Sequence, residues 1–264
     1  MTESECDPRF AGTARLYGAD GLARLACAHV AVVGLGGVGS WAVEALARSG
    51  VGALTLIDLD EVCISNINRQ LHALETTVGH SKAEALAARI RLINPACRIT
   101  VMPVFFKKTN AEEILAPAYD FVIDAIDGVA HKARLIGMCT LKKIPIITCG
   151  AAGGKTDAAC VTIRDVTETI YDPLMAFIRK RLRKWFDFPR GDRKFGVPCV
   201  FSTEQVFEEP ATACEVKEPG VRANCDYGLG AAAHVTGTFG LLAAGYVVNK
   251  IALGGITGQR PPPV

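Results

Sequence analysis

Two cations and two carboxylates, Arg69, Lys82, Asp58 and Asp127, follow a glycine loop in an order that suits chemistry on a polyphosphate. The loop is GLGGVGS, in which Gly34, Gly36 and Gly39 have the spacing GxGxxG and Gly37 lies between them. Glycine there permits a tight turn, lets the backbone approach a phosphate and lets the next helix pack close to its strand. The free N–H groups and positive dipole at that helix start attract an anion. Asp58 comes about twenty residues later, where a carboxylate accepts hydrogen bonds from a ribose. Asn66, Asn68 and Gln70 surround Arg69. A nicotinamide ring needs a flat apolar slot, whereas two cations beside several amides suit a triphosphate. Asp127, at the end of DAID, is then the expected Mg²⁺ ligand, because magnesium combines one or two carboxylates with phosphate oxygens. Capping of a helix that starts near Gly128 is the competing role for that carboxylate. Lys132, one turn later, is placed to pair with Asp127 or with phosphate.

The elements that position these residues follow from hydrophobic patterning. Residues 29–33 and 53–57 read as short buried strands, with a helix from 39 to about 49 between them. Residues 81–94 have helical spacing with Leu86, Ile90 and Ile93 apolar, and Pro95 stops the helix. Strands are expected at 98–104, at 120–124, which its apolar run marks as buried on both faces as parallel strands are, and within IPIIT. After Ala151 the pattern changes to an alternating, antiparallel strand at 160–163, and a further strand is expected at 197–205. The expected fold is α/β, a Rossmann-like mixed sheet. It has a parallel N-terminal half, an antiparallel C-terminal extension and helices on both faces. One domain spans 1–264, with 1–150 binding nucleotide and 151–264 facing the substrate.

One strong basic cluster lies in the second half. Residues 172–186 form an amphipathic helix with Leu174, Ile178, Leu182 and Trp185 as its apolar stripe. Its other faces and the following loop carry Arg179, Lys180, Arg181, Arg183, Lys184, Arg190, Arg193 and Lys194, with Trp185, Phe186 and Phe188 between them. Such a surface suits a nucleic-acid backbone with aromatics to stack on bases; a solvated helix face is the simpler alternative. Residues 207–227, with Glu208, Glu209, Glu215 and Glu218, are expected to be irregular and mobile over the site. Residues 228–248 are uncharged over a length that could span a bilayer, but their Gly and Ala content favours a buried helix at a packing or dimer interface. His234, within it, is expected to be a core residue. The RPPPV tail cannot continue a helix.

The totals narrow the function class. A net charge of +2 and a pI near 8.0 give no global basic field, so any nucleic-acid surface must be local. Hydrophobic residues at 50% supply a core, and the ten scattered cysteines include no CxxC pair, which argues against a structural metal and for a reducing, cytoplasmic compartment. Membrane contact of the apolar C-terminal helix stays open at this point. Cys199, Cys214 and Cys225 are candidate nucleophiles without an evident activating neighbour.

GLGGVGS, DLDEVCISNINRQ, GHSKAEA and DAID resemble the nucleotide site of the ubiquitin-activating superfamily, which includes the molybdopterin-synthase and thiamine adenylyltransferases. Over nearly the whole chain, TARLYG, NINRQLHAL, INPACRITV, GAAGGKTD, TIYDPL with KRLRK, and GVPCVFSTE resemble the tRNA threonylcarbamoyladenosine dehydratases. The resemblance implies adenylation by ATP of the threonine carboxylate on a modified adenosine beside the anticodon. An internal nucleophile then displaces AMP and closes a ring. It also implies a homodimer in which Arg15 reaches the partner's ATP phosphates, a basic helix that grips the anticodon arm, a monovalent cation (Na⁺ or K⁺) and cooperation with a cysteine desulfurase. Adenylation of the C-terminal glycine of a sulfur-carrier protein is the alternative reading, and an NAD-dependent oxidoreductase a third.

Overall fold

Side chains of a strand alternate in direction, so a central strand packed on both faces feeds two cores. In the computed structural model, which describes residues 7–206 and 229–254, β1 (His29–Val33) does this. Val30 and Val32 join one cluster and Ala31 and Val33 the other. The neighbouring strands are β2 (Ala53–Ile57), β3 (Arg98–Met102), β4 (Phe121–Asp124), β5 (Ile146–Cys149), β6 (Val161–Asp165) and β7 (Pro198–Ser202). They form one seven-stranded sheet in the order β3-β2-β1-β4-β5-β7-β6. All neighbours are parallel except β6, which runs antiparallel to β7. The mixed sheet expected from the sequence is therefore present, with the antiparallel strand at its C-terminal edge.

Helices α1 (Ala11–Cys27), α2 (Gly39–Arg48), α3 (Lys82–Ile93) and α7 (Ala233–Ala252) cover one face. Helices α4 (Ala111–Ile114), α5 (Val129–Lys142) and α6 (Pro173–Phe186) cover the other. Helix α1 bends at Gly18, whose φ of 75° is open to glycine without strain. Ser81 caps α3 through its hydroxyl, as a short polar side chain does at a helix start. Helix α7 is apolar and long enough to cross a membrane, yet just over half of its apolar window is buried against the rest of the chain. The reason is contact with α2. A Cβ on Gly240 would collide with the Val38 carbonyl and come within 2.9 Å of the Ala42 nitrogen, and one on Gly237 would touch the Trp41 ring at 3.5 Å. Two glycines thus let the helix backbones meet, and the expectation of a packed helix holds.

Three expectations are corrected. His234 is not a core residue: it is exposed and its Nε2 lies 2.9 Å from the Thr156 carbonyl oxygen. The buried stripe of α6 is Met175, Ile178 and Leu182, while Trp185 is 39% exposed and Leu174 only half-buried. Cys199 is fully buried, and burial pushes its thiol well above the ordinary range, which removes it as a nucleophile. Cys214, Cys225 and the segment expected to be mobile lie outside the described residues.

Candidate functional site

In an open α/β sheet, ligands bind beyond the carboxyl ends of the strands where strand order reverses, here between β1 and β4. A cleft of about 680 Å³ opens there. The glycine loop forms its floor. Gly34 has φ 87°, and a Cβ on it would sit 2.8 Å from the Ala125 carbonyl oxygen; one on Gly39 would collide with the Gly34 carbonyl. Gly36 and Gly37 line the cleft directly, whereas Gly39 serves the packing of α2 beneath it. Asp58 fixes the loop from the side. Its Oδ2 accepts from the Leu35 amide at 2.7 Å and its Oδ1 from the Asp60 amide at 2.8 Å. Burial raises its pKa, opposed by those two amides and by Lys82.

The expected cations converge on the same space. Lys82 and Arg69 both line the cleft. The Lys82 ammonium is buried and ion-paired to Asp60 at 2.9 Å, a partner that no motif marks. The Arg69 guanidinium donates to the Ser65 carbonyl and to Asn68 Oδ1, each at 2.8 Å. Its backbone carbonyl accepts from Trp41 Nε1 at 3.1 Å, so α2 holds the arginine in place. Asn66 is buried and accepts from the Cys63 amide at 3.1 Å, closing a tight turn. Asn68 is not among the cleft residues; its amide donates to the Ala231 carbonyl at 2.8 Å. Gln70 does line the cleft, and its Oε1 is buried without a hydrogen-bond partner among the described residues. A buried unpaired acceptor costs on the order of 1–3 kcal/mol, a cost that a ligand donor would relieve. His72 is buried nearby, and neither ring nitrogen has a hydrogen-bond partner among the described residues; burial, then Lys82, pulls its pKa down to about 4.

Asp127 stands on the opposite rim, exposed and lining the cleft. Among the described residues its carboxylate has no hydrogen bond or ion pair, and α5 takes Gly128 as its cap with no side-chain bond. Capping is therefore not its role. Lys132 does not face Asp127 or the cleft. It is fully buried and pairs with Asp124 Oδ2 at 3.1 Å, while its ammonium also donates to the Ile126 carbonyl at 2.8 Å. Asp124 further accepts from Thr148 Oγ1 at 2.6 Å and from the Ile126 amide at 3.0 Å. This buried network clamps the turn that presents Asp127. The described residues contain no group of three His, Cys, Asp or Glu side chains that could hold a metal. A cation beside Asp127 would take its other ligands from phosphate and water, which is how magnesium binds.

The wall after β5 is Gly150 to Gly153 with Leu174, while Phe105 enters the cleft from the segment after β3. Asp172 ties this wall to α6: Oδ2 accepts from the Ala151 amide at 2.9 Å and Oδ1 caps the helix at the Met175 amide at 3.0 Å. The eight cations expected to face nucleic acid divide. Lys180, Lys184, Arg190 and Arg193 are exposed and Arg181 half-buried. Lys194 is exposed but pairs with Glu168 at 3.1 Å, and Arg183 donates to the Pro189 carbonyl at 3.1 Å. Arg179 turns inward to the Val166 carbonyl and to Thr169, so its charge is spent on the fold. Arg15 is exposed on α1 and does not line the cleft of its own chain. Asp60, Phe105 and His131 also line the cleft and were not expected there: Asp60 sits two residues after Asp58, Phe105 in the irregular segment after β3, and His131 in the first turn of α5.

A model of the ThiF family matches residues 10–260. The tRNA threonylcarbamoyladenosine dehydratase of Escherichia coli is 49% identical over 92% of this chain and 93% of its own. That of Haemophilus influenzae is 47% identical over 93% of this chain and 94% of its own. A crystal structure of the E. coli dehydratase in complex with ATP superimposes with a TM-score of 0.84 at 47% identity, covering 95% of this chain and 96% of that one. With the family match spanning almost every described residue, the chain belongs to the ThiF family.

Proposed function

We propose that this protein is an ATP-dependent tRNA threonylcarbamoyladenosine dehydratase, a single adenylating domain that acts in the cytoplasm. The observation that carries this reading is the convergence of the glycine loop, Arg69, Lys82 and the exposed Asp127 on one cleft, in a chain 49% identical to such a dehydratase. ATP fits the cleft with its phosphates at Gly34, Gly36 and Gly37 and its ribose toward Asp58. Gln70 Oε1 accepts from the nucleotide. Asp127 would hold Mg²⁺, which when bound neutralises charge on the phosphates.

The threonine carboxylate of the modified adenosine attacks the α-phosphorus of ATP. A carboxylate–phosphorus bond forms, the bond to the β-phosphate oxygen breaks, and pyrophosphate leaves. An internal nitrogen or oxygen of the threonylcarbamoyl group then attacks the activated carbonyl, loses its proton and expels AMP, closing a ring. The nucleoside has lost one water. Negative charge grows on the phosphoryl oxygens in the first step, so a fixed Arg69 and Lys82 stabilise the transition state by about 3 kcal/mol each. Lys82 keeps its position through Asp60, and the clamp at Asp124 and Lys132 keeps Asp127 aimed. The exposed cations of α6 and its loop grip the anticodon arm.

The homodimer belongs to the same reading, with Arg15 serving the partner's cleft. So do the monovalent cation and the cysteine desulfurase partnership. The test is AMP release: it should require threonylcarbamoylated tRNA and be absent with unmodified tRNA. AMP release that depends on a ubiquitin-like carrier protein instead would overturn the reading in favour of carrier adenylation.

A further inference from the structure

Helix α6 carries a second pattern beside its buried stripe. Leu174, Phe177, Arg181 and Trp185 recur at i, i+3, i+7 and i+11 and therefore share one face at 3.6 residues per turn. Leu174 lines the nucleotide cleft, while Phe177 is 55% and Trp185 39% exposed. The face thus begins at the cleft and leads about 16 Å away from it. Each exposed ring has a cation on it. Lys180 Nζ lies 5.8 Å from the Phe177 ring centre, and the Arg181 guanidinium 4.9 Å from that of Trp185. Arg134, one turn along α5 from the cleft residue His131, approaches the same indole at 5.4 Å.

Large aromatics left in water with a cation on each are poorly explained by packing, since the core of α6 is complete without them. They match what single-stranded nucleic acid needs: π-faces on which unpaired bases stack, and charges that follow the phosphates. A duplex offers no free base faces. The row of rings therefore fits loop nucleotides better than a stem.

We propose that Phe177 and Trp185, with Lys180, Arg181 and Arg134, form a stacking track for the unpaired nucleotides that flank the modified adenosine bound at the cleft. The track rests on the dehydratase reading and specifies which part of the RNA the α6 surface takes. It positions RNA and touches no reacting atom. Its length corresponds to a few nucleotides, so it holds the loop beside the target base while the exposed cations beyond Trp185 meet the stem.

The test uses the full-length protein with a threonylcarbamoylated anticodon stem-loop and a blunt RNA duplex of equal length. Trp185→Ala and Phe177→Ala should each weaken stem-loop binding by about 10-fold to 100-fold. KM for tRNA should rise in parallel, with kcat at saturating tRNA and ATP affinity unchanged, and duplex binding should barely move. Trp185→Phe, which keeps a π-face, should retain most of the affinity and lose the part of the RNA-induced tryptophan quenching that Trp185 supplies. If Trp185→Ala does not fold, Arg134→Gln and Phe177→Ala carry the same comparison. Unchanged stem-loop affinity in these variants, equal losses for the duplex, or a change confined to self-association each overturn the track. Those outcomes with a wild-type protein that still dehydrates tRNA leave the dehydratase reading standing. A wild-type protein that neither binds nor dehydrates the modified tRNA defeats that reading itself.

Discussion

Removing the Lys132 ammonium should cost far more than removing it together with its partner. Both side chains of the Lys132–Asp124 pair are fully buried. In Lys132→Met the Asp124 carboxylate keeps its bonds from Thr148 and Ile126 but loses its only ion pair among the described residues. An uncompensated buried charge costs roughly 3–5 kcal/mol, against a typical total stability of about 5–15 kcal/mol. The group escapes by taking a proton, because burial already raises its pKa and Lys132 is the largest opposing influence. The sign of the pH dependence follows. A native state that holds a proton the unfolded chain releases gains stability as pH falls. Lys132→Met should therefore become more stable from pH 8 toward pH 5 relative to wild type. Asp124→Asn combined with Lys132→Met removes both charges and should recover most of the loss. Turnover should not recover equally, because the Ile126 carbonyl still lacks the donor that steadies the Asp127 turn. Urea titrations across pH, with AMP release measured on the same samples, provide the comparison. A single variant no less stable than the double, or one whose stability does not rise on acidification, would refute the clamp.

Three further outcomes are expected. Asp127→Ala should lose turnover by about 100-fold or more while its urea midpoint stays near wild type, since the residue is exposed and its carboxylate bonds to none of the described residues; near-normal turnover removes it from the site. His72 has its pKa pulled down to about 4, so the native state stays neutral where the unfolded chain binds a proton. Wild-type stability should fall between pH 6.5 and pH 4 by up to about 3 kcal/mol, and His72→Phe should flatten that slope in urea midpoints. Arg15→Ala and Asp127→Ala should each be inactive alone, yet mixing the two should restore part of the activity if Arg15 serves the partner's cleft; a mixture as inactive as its parts contradicts the shared site.

Much of the architecture was legible because its signals are local. The apolar runs HVAVV and ALTLI, the GxGxxG loop and the break at Pro95 each arise within a few residues. The convergence of Arg69, Lys82 and Asp127 was legible through spacing relative to the strands. Side-chain direction was not. Lys132 lies one turn past Asp127 in sequence, but the clamp needs β4 and β5 beside each other to bring Asp124 and Thr148 to it. Arg179 sits in a run of cations, and only the turn before α6 shows that it bonds inward. The stripe drawn through Leu174, Ile178, Leu182 and Trp185 differs from the buried one at its ends, because Met175 takes the place given to Leu174 and Trp185 is exposed. Gly237 and Gly240 carried a usable signal for close helix contact, while nothing local marked Asp60 as the partner of Lys82.

The central claim is a dehydration, so the mass of the product nucleoside decides it. Incubated with ATP, Mg²⁺ and threonylcarbamoylated tRNA, the protein should convert the modified adenosine to a nucleoside lighter by one water, with one AMP formed per conversion. An unchanged nucleoside mass from protein that binds ATP would contradict the account.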